Sequence, residues 1–126
     1  MHGNGTFMHS NKDIYHGSFE KNLRHTKEKE KGQFFYSDAS YYFGEWSFDN
    51  KHGKGSYIFK DGSKYEGDFY NDEFHGQGTK TWYDGRKFTG EFKNGKMDGE
   101  GTYTSKKGKE TKALFKNDRF EKILKE

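Results

Sequence analysis

Tyr65-Glu66-Gly67-Asp68-Phe69, with Gly78 eleven residues beyond its glycine, is the phrase that decides the fold. It stands again 23 residues later as Phe88-Thr89-Gly90-Glu91-Phe92 with Gly101, and 23 residues earlier as Tyr42-Phe43-Gly44-Glu45-Trp46 with Gly55. A fixed period of this length marks a repeat array whose units stack on one another. Within the phrase, aromatic, glycine and aromatic share one side of an extended chain and the two acids take the other, the period of a strand. The returning stretch alternates likewise: Gly53, Gly55, Tyr57 and Phe59 on one face, Lys54 and Ser56 on the other. Asp61-Gly62, Asp84-Gly85 and Lys107-Gly108 supply one set of turns, Asn71-Asp72 and Asn94-Gly95 the other. Each unit reads as a β-hairpin.

Outward from this centre the pattern weakens at both ends. The chain opens part-way through a unit, since Met1–Phe7 lines up with Met97–Tyr103. Units fall near 1–13, 14–40, 41–63, 64–86 and 87–109, with a degenerate one at 110–119 where Ala113 replaces glycine. The spacing from Gly17 to Gly32 is stretched by four residues within Leu23–Lys31, a charged segment that reads as an extended loop. In 120–126 the order Phe120, Ile123, Leu124 follows i, i+3, i+4 and predicts a short helical cap over the last hairpin. The N-terminal half-unit at Gly3–Met8 presents an open strand edge, which predicts completion by a partner chain or by a second copy.

Composition alone points elsewhere. Charged residues make up 34% of the chain, and valine, proline and cysteine are absent, a profile close to that of disordered chains. Net charge is only +3, however, and aromatics reach 19%. These rings, spaced among 17 glycines, supply the core. Glycine weakens a strand unless packing requires it, and its regular recurrence predicts that rings from neighbouring strands lie over the glycine backbone. The expected architecture is all-β: an elongated, single-layer, twisted antiparallel sheet, aromatic on one side and charged on the other. No cysteine is available for disulfides or thiolate metal sites, which fits a cytoplasmic setting. The evenly mixed charge gives no reason to expect nucleic acid as a partner.

Tyr-x-Gly-x-Phe followed by Gly-x-Gly-x-Tyr at this period resembles the MORN repeat (membrane occupation and recognition nexus). Tyr65–Gly78 is close to that pattern, and the units beginning at Tyr42 and Phe88 nearly as close, while Lys80 and Thr111 depart from it. The resemblance implies a non-catalytic scaffold or adaptor in a cytoskeletal, ciliary or flagellar assembly, with cytoskeletal or axonemal partners. It also leaves two alternatives: a phospholipid- or membrane-associating module, with weak contact to anionic lipid, and a targeting segment of a larger enzyme.

The residues themselves offer little chemistry. His2, His52 and His75 recur at equivalent positions, but successive hairpins place them about 10 Å apart, too far to share an ion; no metal or cofactor is expected. Glu45, Asp68 and Glu91 form a similar row, read as a solvated charged face rather than a paired-carboxylate site. Gly53-Lys54-Gly55 and Gly76-Gln77-Gly78 lack the helix that a phosphate loop needs. What remains is surface. Tyr42, Trp46, Tyr57, Tyr65, Phe69, Trp82, Phe88 and Phe92 are the candidate partner-binding residues, on a face that can equally be the chain's own core.

Overall fold

The computed structural model describes residues 3–27 and 30–124. Its strands are β1 (Gly3–Met8), β2 (Ile14–Glu20), β3 (Leu23–Arg24), β4 (Gly32–Phe35), β5 (Tyr41–Ser47) and β6 (Asn50–Ile58). They continue as β7 (Lys64–Tyr70), β8 (Glu73–Thr81), β9 (Lys87–Lys93), β10 (Lys96–Thr104), β11 (Glu110–Lys116) and β12 (Arg119–Ile123). All pair antiparallel in one open sheet, in sequence order from β1 to β12, with β3 paired to β2 beside the main path. The register sets glycine against glycine across the strands, as in Gly44↔Gly55, Gly55↔Gly67, Gly67↔Gly78 and Gly78↔Gly90. A glycine row thus crosses the sheet until Gly101 meets Ala113.

The hairpins close by two kinds of turn. Asn71-Asp72, Asn94-Gly95 and Asn117-Asp118 have both residues at left-handed φ, the geometry that matches strand twist in a two-residue loop. Phe48 and Asp49 adopt the same conformation. These turns also join one hairpin to the next. The carboxylates of Asp49, Asp72 and Asp118 accept the backbone N–H of Arg24, Lys51 and Met97, one unit back. Each aspartate's own N–H donates to the carbonyl of that same residue. Removing the aspartate leaves a rim amide without its acceptor. At the opposite rim, Asp38, Asp61 and Asp84 accept the N–H two residues on, fixing the wider turns.

The returning strands β6, β8, β10 and β12 each carry a bulge. Between Met97↔Phe92 and Gly101↔Gly90, the residues Asp98, Gly99 and Glu100 stand opposite Glu91 alone. The left-handed φ of Gly53, Gly76 and Gly99 accommodates the extra residues. The four-residue insertion falls at this same place in the unit. Rather than a plain extended loop, Leu23–Lys31 begins as β3 and then docks on β5 through Thr26, while Glu28 and Lys29 lie outside the described residues. Thr26 N–H donates to the Trp46 carbonyl, and Trp46 N–H donates to Thr26 Oγ1. β3 and β4 are therefore one returning strand split at its bulge, where added residues break no further ladder bonds.

The helical cap is not formed: Arg119–Ile123 is strand β12. A five-residue stripe cannot offset the cost of nucleating a helix, whereas the Asn117-Asp118 turn hands the chain directly to the free edge of β11. Lys122 stands where earlier units have glycine at left-handed φ, and the bulge contracts to one extra residue. Ile123 consequently pairs with Ala113, in the glycine row.

Candidate partner-binding face

One face of the sheet holds the rings, and its packing starts from the glycine row. Tyr42 and Tyr65 fold back along their own strands so that each ring covers the glycine two residues on and the glycine opposite it. A Cβ on Gly78 would lie 2.5 Å from the Tyr65 ring, and one on Gly32 2.6 Å from the Tyr15 hydroxyl. The ring therefore comes from the neighbouring strand for Gly55 and Gly78, and from the same strand for Gly44 and Gly67. Each hydroxyl donates 2.7 Å to a carbonyl three residues ahead: Tyr15 to Ser18, Tyr42 to Glu45, Tyr65 to Asp68. Burial pushes the Tyr15 hydroxyl pKa up to about 12 and those of Tyr42 and Tyr65 higher still. The closing ring of each phrase meets the leading ring edge-on, at 5.2 Å for Tyr42–Trp46 and Tyr65–Phe69.

This arrangement divides the eight candidate residues. Tyr42, Tyr65 and Phe88 are fully buried, and Trp46, Phe69 and Phe92 are each 3% exposed. They are the core of the array and, as packed, offer a partner no surface. Tyr57 and Trp82, both on the returning side, remain half-buried at its edge. Phe59 and Tyr103, which the sequence reading did not single out, stand with them. Cations lie over these rings: Lys80 Nζ is 5.2 Å from both Phe59 and Trp82, and the Arg86 guanidinium 5.2 Å from Trp82. A groove of about 550 Å³ opens at the C-terminal end of the face, lined chiefly by Trp82, Tyr103, Phe115, Phe120 and Ile123.

Beneath the leading rings one position changes chemistry along the array. Phe74 stacks on Tyr65 at 3.9 Å, and one unit earlier Lys51 holds the place. Its Nζ stands 5.4–5.9 Å from the rings of Tyr36, Tyr42, Trp46 and Tyr57 and 3.6 Å from Asp72. Burial among the rings lowers the Lys51 pKa, with Asp72 opposing. Arg24 holds the equivalent place a unit before, over Phe34 and Trp46 and paired to Asp49 at 3.0 Å.

The reverse face differs from the uniformly charged surface expected of it. Glu45, Asp68 and Glu91 accept the bulge amides of Lys54, Gln77 and Glu100, so these carboxylates hold the bulges rather than simply facing water. Over the N-terminal strands this face is apolar. Met8, Ile14, Phe35, Tyr41 and Ile58 follow one another across five strands as direct cross-strand neighbours. Phe43 lies beside Tyr41, and Met8, Phe35, Phe43 and Ile58 are exposed. The unbroken runs Phe34-Phe35-Tyr36 and Tyr41-Tyr42-Phe43 carried this signal, because consecutive apolar residues on a strand must occupy both faces.

His52 and His75 flank the ring of Tyr70 at 5.4 and 5.8 Å; His2 lies outside the described residues. Among the described residues no group of three or more acids and histidines is placed to hold a metal ion. Both glycine-flanked loop candidates lie inside strands, β6 and β8. No curated protein matches the chain. The model of one family, MORN repeat, matches residues 42–64, 65–85 and 88–110, the three units whose ring-over-glycine packing is most regular. With three consecutive matches spanning more than half of its length, the chain belongs to the MORN-repeat family.

Proposed function

We propose that this chain is a non-catalytic scaffold or adaptor that binds a protein partner through the half-exposed edge of its aromatic face, in a ciliary, flagellar or other cytoskeletal assembly. MORN repeats suggest a module that binds protein or membrane. One observation carries the choice of protein. Tyr57, Phe59, Trp82 and Tyr103 stay partly open beside leading and closing rings that are buried, and rings supply contact area at small entropic cost. A cytoplasmic, cytoskeleton-associated location belongs to the same proposal. A second contact, of the β1 edge with a strand from a partner chain or from another copy, belongs to the same proposal.

The test uses the double variant Tyr57→Ala, Phe59→Ala, with wild-type circular dichroism required before binding is read. A partner captured from ciliated-cell lysate by the wild type is expected to be lost with the variant. Sedimentation with mixed anionic vesicles is expected to be slight at physiological ionic strength. Strong sedimentation there, unchanged in the variant, would overturn the reading in favour of membrane association.

A further inference from the structure

We propose that the open edge of the ring face receives a partner segment carrying a carboxylate between two apolar side chains, and that Lys80 selects the carboxylate. The inference rests on the protein-partner reading above and names what that partner presents. The repeat pattern breaks at Lys80. On the returning strands Phe34, Tyr57, Lys80 and Tyr103 occupy one place, each directly across from a leading ring: Tyr15, Tyr42, Tyr65 and Phe88. Three of the four are rings, and the third in order is a lysine.

Elsewhere on this face the array supplies its own counter-charge to a cation seated on rings. Arg24 meets Asp49 at 3.0 Å, Lys51 meets Asp72 at 3.6 Å, and Arg86 meets Asp84 at 2.9 Å. Among the described residues, Lys80 alone of the cations over these rings forms no ion pair. Asp61 feels its charge, behind the hydrogen bonds from Ser63, but lies outside ion-pair distance and accepts the Ser63 N–H. Lys80 is half-buried. Its ammonium is therefore partly withdrawn from water and still open to an incoming acceptor, which raises the gain from meeting one.

The surroundings fix what flanks that acceptor. Lys80 Nζ stands 5.2 Å from the ring centres of both Phe59 and Trp82, so the two rings are at most twice that apart, about two strand spacings. Tyr57 and Phe59, with Ser40 and Lys60, line a groove of about 550 Å³ on one side of the lysine. Trp82, Arg86 and Tyr103 line the groove on the other. An extended segment crossing the strands turns alternate side chains to the sheet, about 7 Å apart. Its residues i and i+4 then reach the two ring-lined grooves while i+2 comes down over Lys80. Charge along the rim agrees: the turns at 37–40, 60–63, 83–86 and 105–109 hold five cations and three acids, a balance that favours an approaching anion.

The experiment titrates the full chain into fluorescein-labelled, end-blocked peptides of about seven residues, within the usual strand length. Each is centred on Leu-Ser-Glu-Ser-Leu or on the same sequence with Gln or Lys in the middle. Anisotropy is expected to saturate with the Glu peptide at about fivefold lower Kd than with the Gln peptide, the upper range for an ion pair open to solvent. Added salt is expected to erase the difference. Lys80→Gln and Lys80→Tyr, the second placing there the residue of the neighbouring units, are each expected to bind the two peptides alike, and Lys80→Glu to prefer the Lys peptide. Failure of the Glu peptide to saturate, equal affinity of wild type for Glu and Gln peptides, or a preference that survives in the Lys80 variants would overturn the inference. So would capture of phosphatidylserine vesicles, weakened by Lys80→Gln, without peptide binding. Tyr57→Ala, Phe59→Ala tells the two readings apart. If wild type binds both peptides equally and the double variant weakens both, the ring edge stands and the role of Lys80 falls. If the Glu preference holds but the double variant binds as tightly as wild type, the ring edge falls and the charge selection stands.

Discussion

Adding one methyl group at Gly78 tests the packing on which the whole array depends. Gly78 has no left-handed φ, so Gly78→Ala strains no backbone, and alanine's smaller chain entropy would on its own stabilise by about 0.4–1 kcal/mol. The new Cβ, however, would stand 2.5 Å from two atoms of the Tyr65 ring. That ring is fully buried, stacked on Phe74 at 3.9 Å and anchored by its hydroxyl to the Asp68 carbonyl. It cannot move without losing one of these. Overpacking of this kind costs about 1–3 kcal/mol, and pulling the hydroxyl from its acceptor adds about 1 kcal/mol or more. The expected net loss is about 3 kcal/mol, or roughly 10 °C in Tm for a chain of this size.

The decisive measurement is a double-mutant cycle by urea unfolding. In a Tyr65→Ala background the methyl enters space the ring has vacated, and its cost should fall below about 1 kcal/mol, a coupling of about 2 kcal/mol. If the two substitutions add to within about 0.5 kcal/mol, or if Gly78→Ala melts with the wild type, glycine is not there to make room for the ring. Asp68→Val would be a poor control, because the Asp68 carboxylate holds the Gln77 amide and pairs with Lys54.

Two further outcomes follow from the buried polar groups. Tyr15, Tyr36, Tyr42 and Tyr65 have pKa values raised by burial, so between the unfolded value near 10 and the folded values the native state binds more protons. Stability is then complete below pH ~10 and falls as pH rises, and tyrosinate absorbance should appear for these four together with loss of β-sheet circular dichroism; their ionisation while the sheet persists would refute the account. Lys51→Met places in the second ring cage the residue type that Met97 supplies two units later, removing a desolvated charge at the loss of cation–π contacts and the Asp72 pair. Chemical unfolding is expected to show stability unchanged or raised by about 1 kcal/mol, and a loss of 3 kcal/mol would mean the cation itself holds the cage.

The period and the turns were legible in the sequence because both depend on spacing and residue type alone. Asn71-Asp72, Asn94-Gly95, Gly62, Gly85 and Gly108 all take the left-handed φ expected of them. Which rings stay open was not legible. Tyr57 and Tyr65 are the same residue type eight positions apart on one face, yet only Tyr65 lies over a glycine pair and closes completely. Burial follows from the direction in which a ring folds along its strand, and composition is silent on that. The acids illustrate the same limit: alternation placed Glu45, Asp68 and Glu91 on the outer face correctly, but only the bulge creates the amides they accept. At the C-terminus a stripe of three apolar residues satisfied the helical template, and the free edge of β11 decided for strand.

The position beneath the leading rings shows why hydrophobicity is the wrong measure for a core built of aromatics. Arg24, Lys51, Phe74, Met97 and Phe120 stand at successive 23-residue intervals, except that the insertion displaces the first by four. A pattern search for apolar residues finds three of these and breaks at the other two. The surrounding rings present their faces inward, and a ring face accepts a cation as readily as another ring edge or a thioether. Arg24 and Lys51 also find Asp49 and Asp72 at the adjoining turns, so their charge is answered twice. At Arg24, Lys51 and Phe74 the array therefore keeps a slot lined by ring faces, and its charge varies from unit to unit while the fold does not.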